Sequence, residues 1–290
     1  MKFLKFNSRN FLLYFGLGLT FFLSLTWLIL ELTTPRIPLL GFHGIIGREP
    51  SAPKSELIEM DYPQQELEIF IEYLVTHNYW FITTQELYDY FLTSAKSIPP
   101  EHLNQKPIML SFDDGYKTVY THLIPFLDKI AEKYGKKVKV VLFVNPGTLA
   151  KPKSTASTHL KCQNLREGLE KGFYDIQSHG LNHKNLTKIT SQELIDELLN
   201  AQIQLRKCTA GLDSEQKVAS HLAYPYGAYN QRVEYYASKY YLSSYLYNSR
   251  ILKYSFLKNY YEIPRLTVNR TKSASRLIKM AERSHLIKKS

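Results

Sequence analysis

Three short stretches of the 290-residue chain carry side chains suited to hydrolysis. Asp113-Asp114 sets two carboxylates side by side. Neighbouring side chains point in different directions, so one can bind a metal while the other accepts a proton. His179-Gly180-Leu181-Asn182-His183 holds two imidazoles four residues apart, and the Gly and Asn between them favour a loop. Such a pair offers two nitrogen ligands. A carboxylate from Asp113-Asp114 completes a three-ligand site with a position open for water. A metal there lowers the pKa of that water, and the other carboxylate takes its proton. Tyr224-Pro225-Tyr226-Gly227 is the third stretch. Alone, each has a plainer reading: a His pair without metal, an Asp-Asp-Gly cap, a Tyr-Pro turn. Their joint occurrence, each directly after a strand-like run, favours a site.

Those runs are Ile108–Phe112, Phe173–Gln177 and His221–Tyr224, and in α/β barrels active sites assemble at the carboxyl ends of strands. Further strands are expected within Arg36–Ile46, at Val138–Val144, Leu242–Tyr247 and Tyr261–Val268. Between them, Pro63–His77 has Leu67, Phe70, Ile71, Leu74 and Val75 at helical spacing. Tyr79 and Trp80 are expected in the core at the end of that helix. Thr83 with Glu86 and Thr190 with Glu193 form capping boxes, the first for a helix through Leu92. Arg48–Tyr62 and Lys151–Thr158 read as polar loops, and Ser273–Lys289 as a basic amphipathic helix. Strands alternating with helices predict an α/β architecture with a parallel sheet or barrel, as one domain over 36–290.

The amino terminus predicts a membrane anchor. Phe11–Leu30 is an uncharged run of Leu and Phe long enough to span the hydrocarbon core, preceded by Lys2, Lys5 and Arg9. That charge order puts the amino terminus in the cytoplasm and the remainder outside it, with 1–35 as cytoplasmic stub and anchor. We read it as uncleaved rather than as a cleaved signal peptide, because no small-x-small cleavage site follows. The net charge of +11 falls to +9 on the remainder. Its basic residues are scattered, and together with export this argues against nucleic acid. A solvated basic surface is the plain explanation, with attraction to anionic envelope material as a second. Two cysteines, Cys162 and Cys208, exclude a Cys-rich zinc module, and their spacing leaves open whether they are bridged.

Ser111-Phe112-Asp113-Asp114-Gly115, Ser178–His183 and Ala223–Gly227 together resemble the successive motifs of polysaccharide deacetylases, the NodB-homology group of carbohydrate esterases. The resemblance covers about Arg36 to Val268. It implies a distorted (β/α)7-type barrel and metal-dependent removal of acetyl from N-acetylated sugars. By it, Asp114, His179 and His183 match the metal ligands, Asp113 the general base, and the backbone N–H of Tyr226 a donor to the oxyanion. Many members supply the acid that protonates the amine from a Leu-x-His motif near the carboxyl terminus, which is missing here. Leu39–Ile45 instead resembles the amino-terminal segment of permuted poly-N-acetylglucosamine deacetylases, which assigns the acid to His43 rather than to His285. The motif Arg that orients the catalytic Asp is also missing, and Arg265 in Ile263-Pro264-Arg265-Leu266 is the expected substitute.

The expected function is therefore a metal-dependent hydrolase removing N-acetyl groups from an N-acetylhexosamine polysaccharide of the cell envelope or exopolysaccharide. Its cofactor is one divalent ion: zinc suits the ligands best, and cobalt or nickel would fit. The rivals are an O-acetyl esterase using the same residues and a catalytically retired, membrane-anchored glycan-binding protein. Its partners are the polysaccharide and the membrane, with protein partners unassigned.

Overall fold

The computed structural model describes residues 8–48, 59–154 and 157–283, with side chains described in the first helix only for 15–29. Two compact units result, Met1–Pro35 and Arg36–Ser290.

The first unit is helix α1, Ser8–Thr33. Its hydroxyls turn back on the helix: Thr20 and Ser24 donate to the carbonyls of Leu17 and Phe21, and Thr26 to those of Phe22 and Leu23. They are thereby satisfied without water. Phe21, Phe22 and Trp27 stand exposed. Among the described residues no helix is long and apolar enough to cross a membrane. The structure thus gives the expected anchor no support; Phe11–Leu30 runs beyond the described side chains at both ends.

In the second unit the chain runs β1 (Leu39–Phe42), β2 (Ile45–Ile46), β3 (Tyr62–Pro63), α2 (Gln64–Thr76), β4 (Tyr79–Phe81) and α3 (Thr84–Leu87). Next come β5 (Lys106–Asp113), α4 (Ile124–Tyr134), β6 (Val140–Val144), α5 (Cys162–Glu170), β7 (Tyr174–Ser178) and α6 (Ser191–Cys208). Last are β8 (His221–Ala223), α7 (Gln231–Tyr240), β9 (Ser243–Tyr245), β10 (Leu266–Thr267) and α8 (Ala274–Ala281). The main sheet has the order β10-β1-β5-β6-β7-β8-β9, with β4 also beside β5. Every pairing in it is parallel. Helices cover a parallel sheet, so its strands read as continuous apolar runs: Val-Val-Leu-Phe-Val in β6 is buried throughout. One short segment joins the sheet's two edges. Ile263 bridges Tyr245 of β9, and three residues on Leu266 of β10 pairs with Leu40 of β1. The result is a half-barrel of parallel strands, consistent with the expected deacetylase barrel.

Local signals explain most elements. The apolar set of α2 is buried as its spacing predicts, and both capping boxes form. Three expectations change. Tyr79 and Trp80 belong to strand β4 rather than a helix end. The helix from Thr83 is α-helical only to Leu87 and continues to Leu92 as a π-helical turn. Tyr261–Val268 is no continuous strand. Helices α4, α5 and α7 were not anticipated. Cys162 and Cys208, at the start of α5 and the end of α6, are joined by a disulfide across 46 residues. Loop-closure entropy gives such a bridge about 4 kcal/mol of stabilisation.

Candidate active site

Strand ends bring the three motifs together. β5 ends at Asp113, and the chain then turns through Asp114 at φ 70° and Gly115 at φ 73°. A Cβ at Gly115 would meet Val144 Cγ1 at 3.1 Å, so a side chain there would be crowded as well as strained by the backbone. β7 leads into His179, whose loop ends at His183 with φ 57°. β8 leads into the turn Pro225–Gly227, where Tyr226 has φ 62°. Left-handed backbone costs a non-glycine residue about 1–3 kcal/mol. Here it falls on Asp114, His183 and Tyr226, all three of them motif residues.

His43 arrives by register. β1 lies beside β5 with Phe42 opposite Phe112, so the next residue of each strand, His43 and Asp113, emerge side by side at the carboxyl end. A cavity of about 210 Å³ is lined by His43, Asp113, Asp114, His179, His183 and Tyr226 among others. His285 lies outside the described residues.

Asp114, His179 and His183 each offer one ligand atom, all within 4.8 Å of one another. Asp114 Oδ1 lies 3.2 Å from His183 Nε2 and 3.4 Å from His179 Nε2. It is buried and lacks hydrogen-bond geometry to any partner. His179 Nδ1 sits 2.8 Å from the carbonyl of Ala223, which can only accept. Nδ1 therefore carries the proton, and the Nε2 lone pair faces Asp114. Burial lowers the pKa of His179, which favours the neutral imidazole a metal requires. The close approach of the Asp114 carboxylate raises that of His183. Burial opposes ionisation of Asp114, but His183 and the neighbouring imidazoles outweigh it and hold the carboxyl below its usual range. An orphaned carboxylate oxygen among two imidazoles fits a divalent ion.

Glu197, buried on α6, shapes the His loop by accepting from the backbone N–H groups of Leu181 and Asn182 and from Asn182 Nδ2. Asn145 donates to the carbonyls of His179 and Gly180. Sequence reasoning missed both, since each acts through a neighbour brought close only by folding.

Arg265 reaches Asp113. Its Nη1 and Nη2 bind the two carboxylate oxygens at 2.6 and 2.7 Å, Nη1 also donates to Ser111 Oγ, and Nε donates to the carbonyl of Leu246. Arg265 is fully buried. Desolvation would push the Asp113 carboxyl up, but the guanidinium's charge and hydrogen bonds reverse this and hold it low. Tyr247, also missed, ties the pieces together. Its ring meets His43 edge-on at 5.3 Å and the guanidinium at 5.6 Å, and its hydroxyl donates to the carbonyls of Gly41 and Val268. A Cβ at Gly41 would come within 2.7 Å of the Tyr247 ring, so that approach needs glycine. His43 Nδ1 is buried without a hydrogen-bond partner. The Tyr226 ring stands 4.5 Å from that of His183 and is 67% exposed.

The model of the polysaccharide deacetylase family matches residues 101–244, which include all three motifs but neither His43 nor Arg265. The YxkH protein of Bacillus subtilis (strain 168), a polysaccharide deacetylase by name, is 26% identical over 197 residues. That match takes in 68% of this chain and 58% of the relative's length. Among solved structures, the polysaccharide deacetylase BC0361 from Bacillus cereus superposes with a TM-score of 0.68 at 20% identity, over 85% of this chain and 69% of its own. The Streptococcus pyogenes deacetylase PplD, solved in complex with acetate, gives 0.69 at 20% identity, over 86% of this chain and 99% of its own. These structural likenesses speak for the fold, and the motif-bearing match speaks for kinship. The chain belongs to the polysaccharide deacetylase family.

Proposed function

We propose that this chain is a membrane-anchored, extracytoplasmic hydrolase that removes N-acetyl groups from an N-acetylhexosamine polymer, its second unit facing the cell envelope. One observation carries the chemistry: a single cavity gathers the Asp114/His179/His183 cluster, the arginine-paired Asp113, His43 and the Tyr226 turn. Family membership and the acetate held by PplD support a deacetylation product. The uncharged run in α1, with basic residues before it, supports the anchor.

A divalent ion held by Asp114, His179 and His183, zinc by the ligand set, would supply Lewis-acid chemistry, polarising the acyl oxygen and easing deprotonation of water. Asp113, kept ionised by Arg265, accepts the proton of the attacking water; each oxygen retains lone pairs beyond those given to the guanidinium. As negative charge develops on the acyl oxygen, the Tyr226 N–H donates to it from a turn already fixed by its left-handed backbone. His43, side by side with Asp113 and steadied by Tyr247, protonates the departing amine. No serine, threonine or cysteine lines the cavity among the described residues, which supports direct hydrolysis without a covalent enzyme intermediate. The exposed ring of Tyr226 gives a sugar a flat face to stack on.

The test is acetate release by the full chain from chitohexaose and from acetylated xylan, before and after chelation and after reloading with zinc, cobalt or nickel. We expect chelator-sensitive release from chitohexaose. Release from xylan alone points to an O-acetyl esterase, and release from neither points to a glycan-binding scaffold.

A further inference from the structure

The basic face of α8 has no part in that reaction. Its apolar face is already used, with Ala274, Leu277 and Ala281 buried. Arg276 and Lys279 lie on α8 itself, and Lys272 and Arg283 flank its two ends. All four line one open cavity of about 680 Å³, together with the hydroxyls of Ser249 and Thr267, and no carboxylate lines it. Among the described residues none of the four cations makes an ion pair. Like charges three apart on α8, at Arg276 and Lys279, weaken the helix. Burial, and then the charge of Arg276, hold the Lys272 ammonium below its usual range, against a smaller opposing pull from Glu59. The cavity therefore carries a net positive potential.

Its position connects it to the catalytic cavity. Thr267 of β10 pairs with Gly41 of β1, two residues before His43, and its hydroxyl lies 2.5 Å from that of Ser249. Ser249 in turn follows two residues after Tyr247, which lines the catalytic cavity. A polymer whose acetylated sugar lay against Tyr247 would reach the basic cavity along this edge.

We infer that the α8 cavity seats oxyanions of the substrate polymer, so that the enzyme prefers an anionic glycan, phosphodiester- or carboxylate-bearing, to a neutral one. The inference rests on the deacetylase reading above. A membrane surface fits less well, because α8 has no free apolar face to insert and the cations line a concavity rather than a plane.

The test measures binding of the full chain at low and high salt to a labelled hyaluronan octasaccharide, to poly(glycerol phosphate), to neutral chitohexaose and to phosphatidylglycerol vesicles. We expect wild type to prefer one anionic probe over chitohexaose, with the preference screened by salt. The R276Q/K279Q variant should lose that preference at least tenfold, whereas K129Q/K258Q, with the same charge change elsewhere, should lose less than twofold. Which anionic probe responds distinguishes phosphodiester from carboxylate. Equal losses in the two variants, or no preference in wild type, would overturn the inference. So would a loss by R276Q/K279Q confined to phosphatidylglycerol vesicles, which would assign the stripe to the membrane. Failure of wild type to release acetate from either N-acetylated probe, hyaluronan or chitohexaose, would instead overturn the deacetylase reading, and binding would still decide what the stripe holds.

Discussion

Two buried polar clusters lie at opposite ends of the parallel strands, and they are built on opposite principles. Toward the amino ends of the strands, Asp175 accepts from the backbone and hydroxyl of Thr84 and from Gln177, while His221 contacts Ser243 and Gln85. Burial raises the pKa of Asp175 and pushes that of His221 down to about 3. That cluster is saturated, and its backbone is ordinary. At the carboxyl ends, Asp114 Oδ1 and His43 Nδ1 are orphaned and three motif residues sit in left-handed backbone. Both carboxyl groups there are held low rather than raised. Buried polarity alone does not mark a site. What marks it is polarity left unsatisfied at a strained position, where a ligand supplies the missing partner.

The contrast can be broken by substitution. Asp114→Asn or His179→Ala should abolish metal content, measured by elemental analysis, and cut acetate release about a thousandfold or more, since the metal lowers the water's pKa by several units. The fold should survive in thermal melts.

Arg265→Met should act on stability and pH together. Removing one partner of a buried pair costs about 3–5 kcal/mol. The folded pKa of Asp113 lies below its unfolded value, so its pairing stabilises the protein above the unfolded pKa and is lost as pH falls through the folded one. Without Arg265 the acid limb of the rate profile should move to higher pH. An unchanged profile would contradict the role given to Arg265.

Glu197→Gln keeps the shape but weakens the grip on the His183 loop. A loss of about 10- to 100-fold in metal affinity is expected, read by competition with a chelating dye.

The saturated cluster should give the smallest change in turnover. Asp175→Asn should cost about 1–3 kcal/mol in denaturant unfolding while leaving kcat and KM at wild-type values. His221 is stabilising as the neutral imidazole. That contribution is present above pH 6.5 and is lost as pH falls from 6.5 toward about 3. His221→Phe should flatten the acid-unfolding curve in that window. A loss of turnover in either variant would mean the two clusters are coupled.

Much of the site was legible because its chemistry follows strand ends. Asp113-Asp114, His179 with His183, and Tyr226 each come directly after an apolar run, so linear order already placed them on one rim. His43 and Arg265 were found from what the motifs lacked, and the β1–β5 register and the bidentate pair account for their placement. Glu197, Asn145 and Tyr247 carry no local signal: each works by touching a neighbour that only the packing of α6, β6 and β9 brings near. Helix α7 went unread although Asn230 caps it, because its apolar face is reduced to Val233 and Ala237. The disulfide depends on α5 and α6 meeting with 5.4 Å between Cα atoms, which spacing in sequence does not encode.

The central claim is that adjacent aspartates divide the work, Asp114 binding the ion and Asp113 moving the proton. Asp113→Asn tests this most directly, because the amide still offers Arg265 an acceptor. Metal content and acetate release from chitohexaose would be measured on one preparation. The account predicts one metal per chain with acetate release at background. A variant that releases acetate at the wild-type rate, or one that has lost its metal, would contradict it.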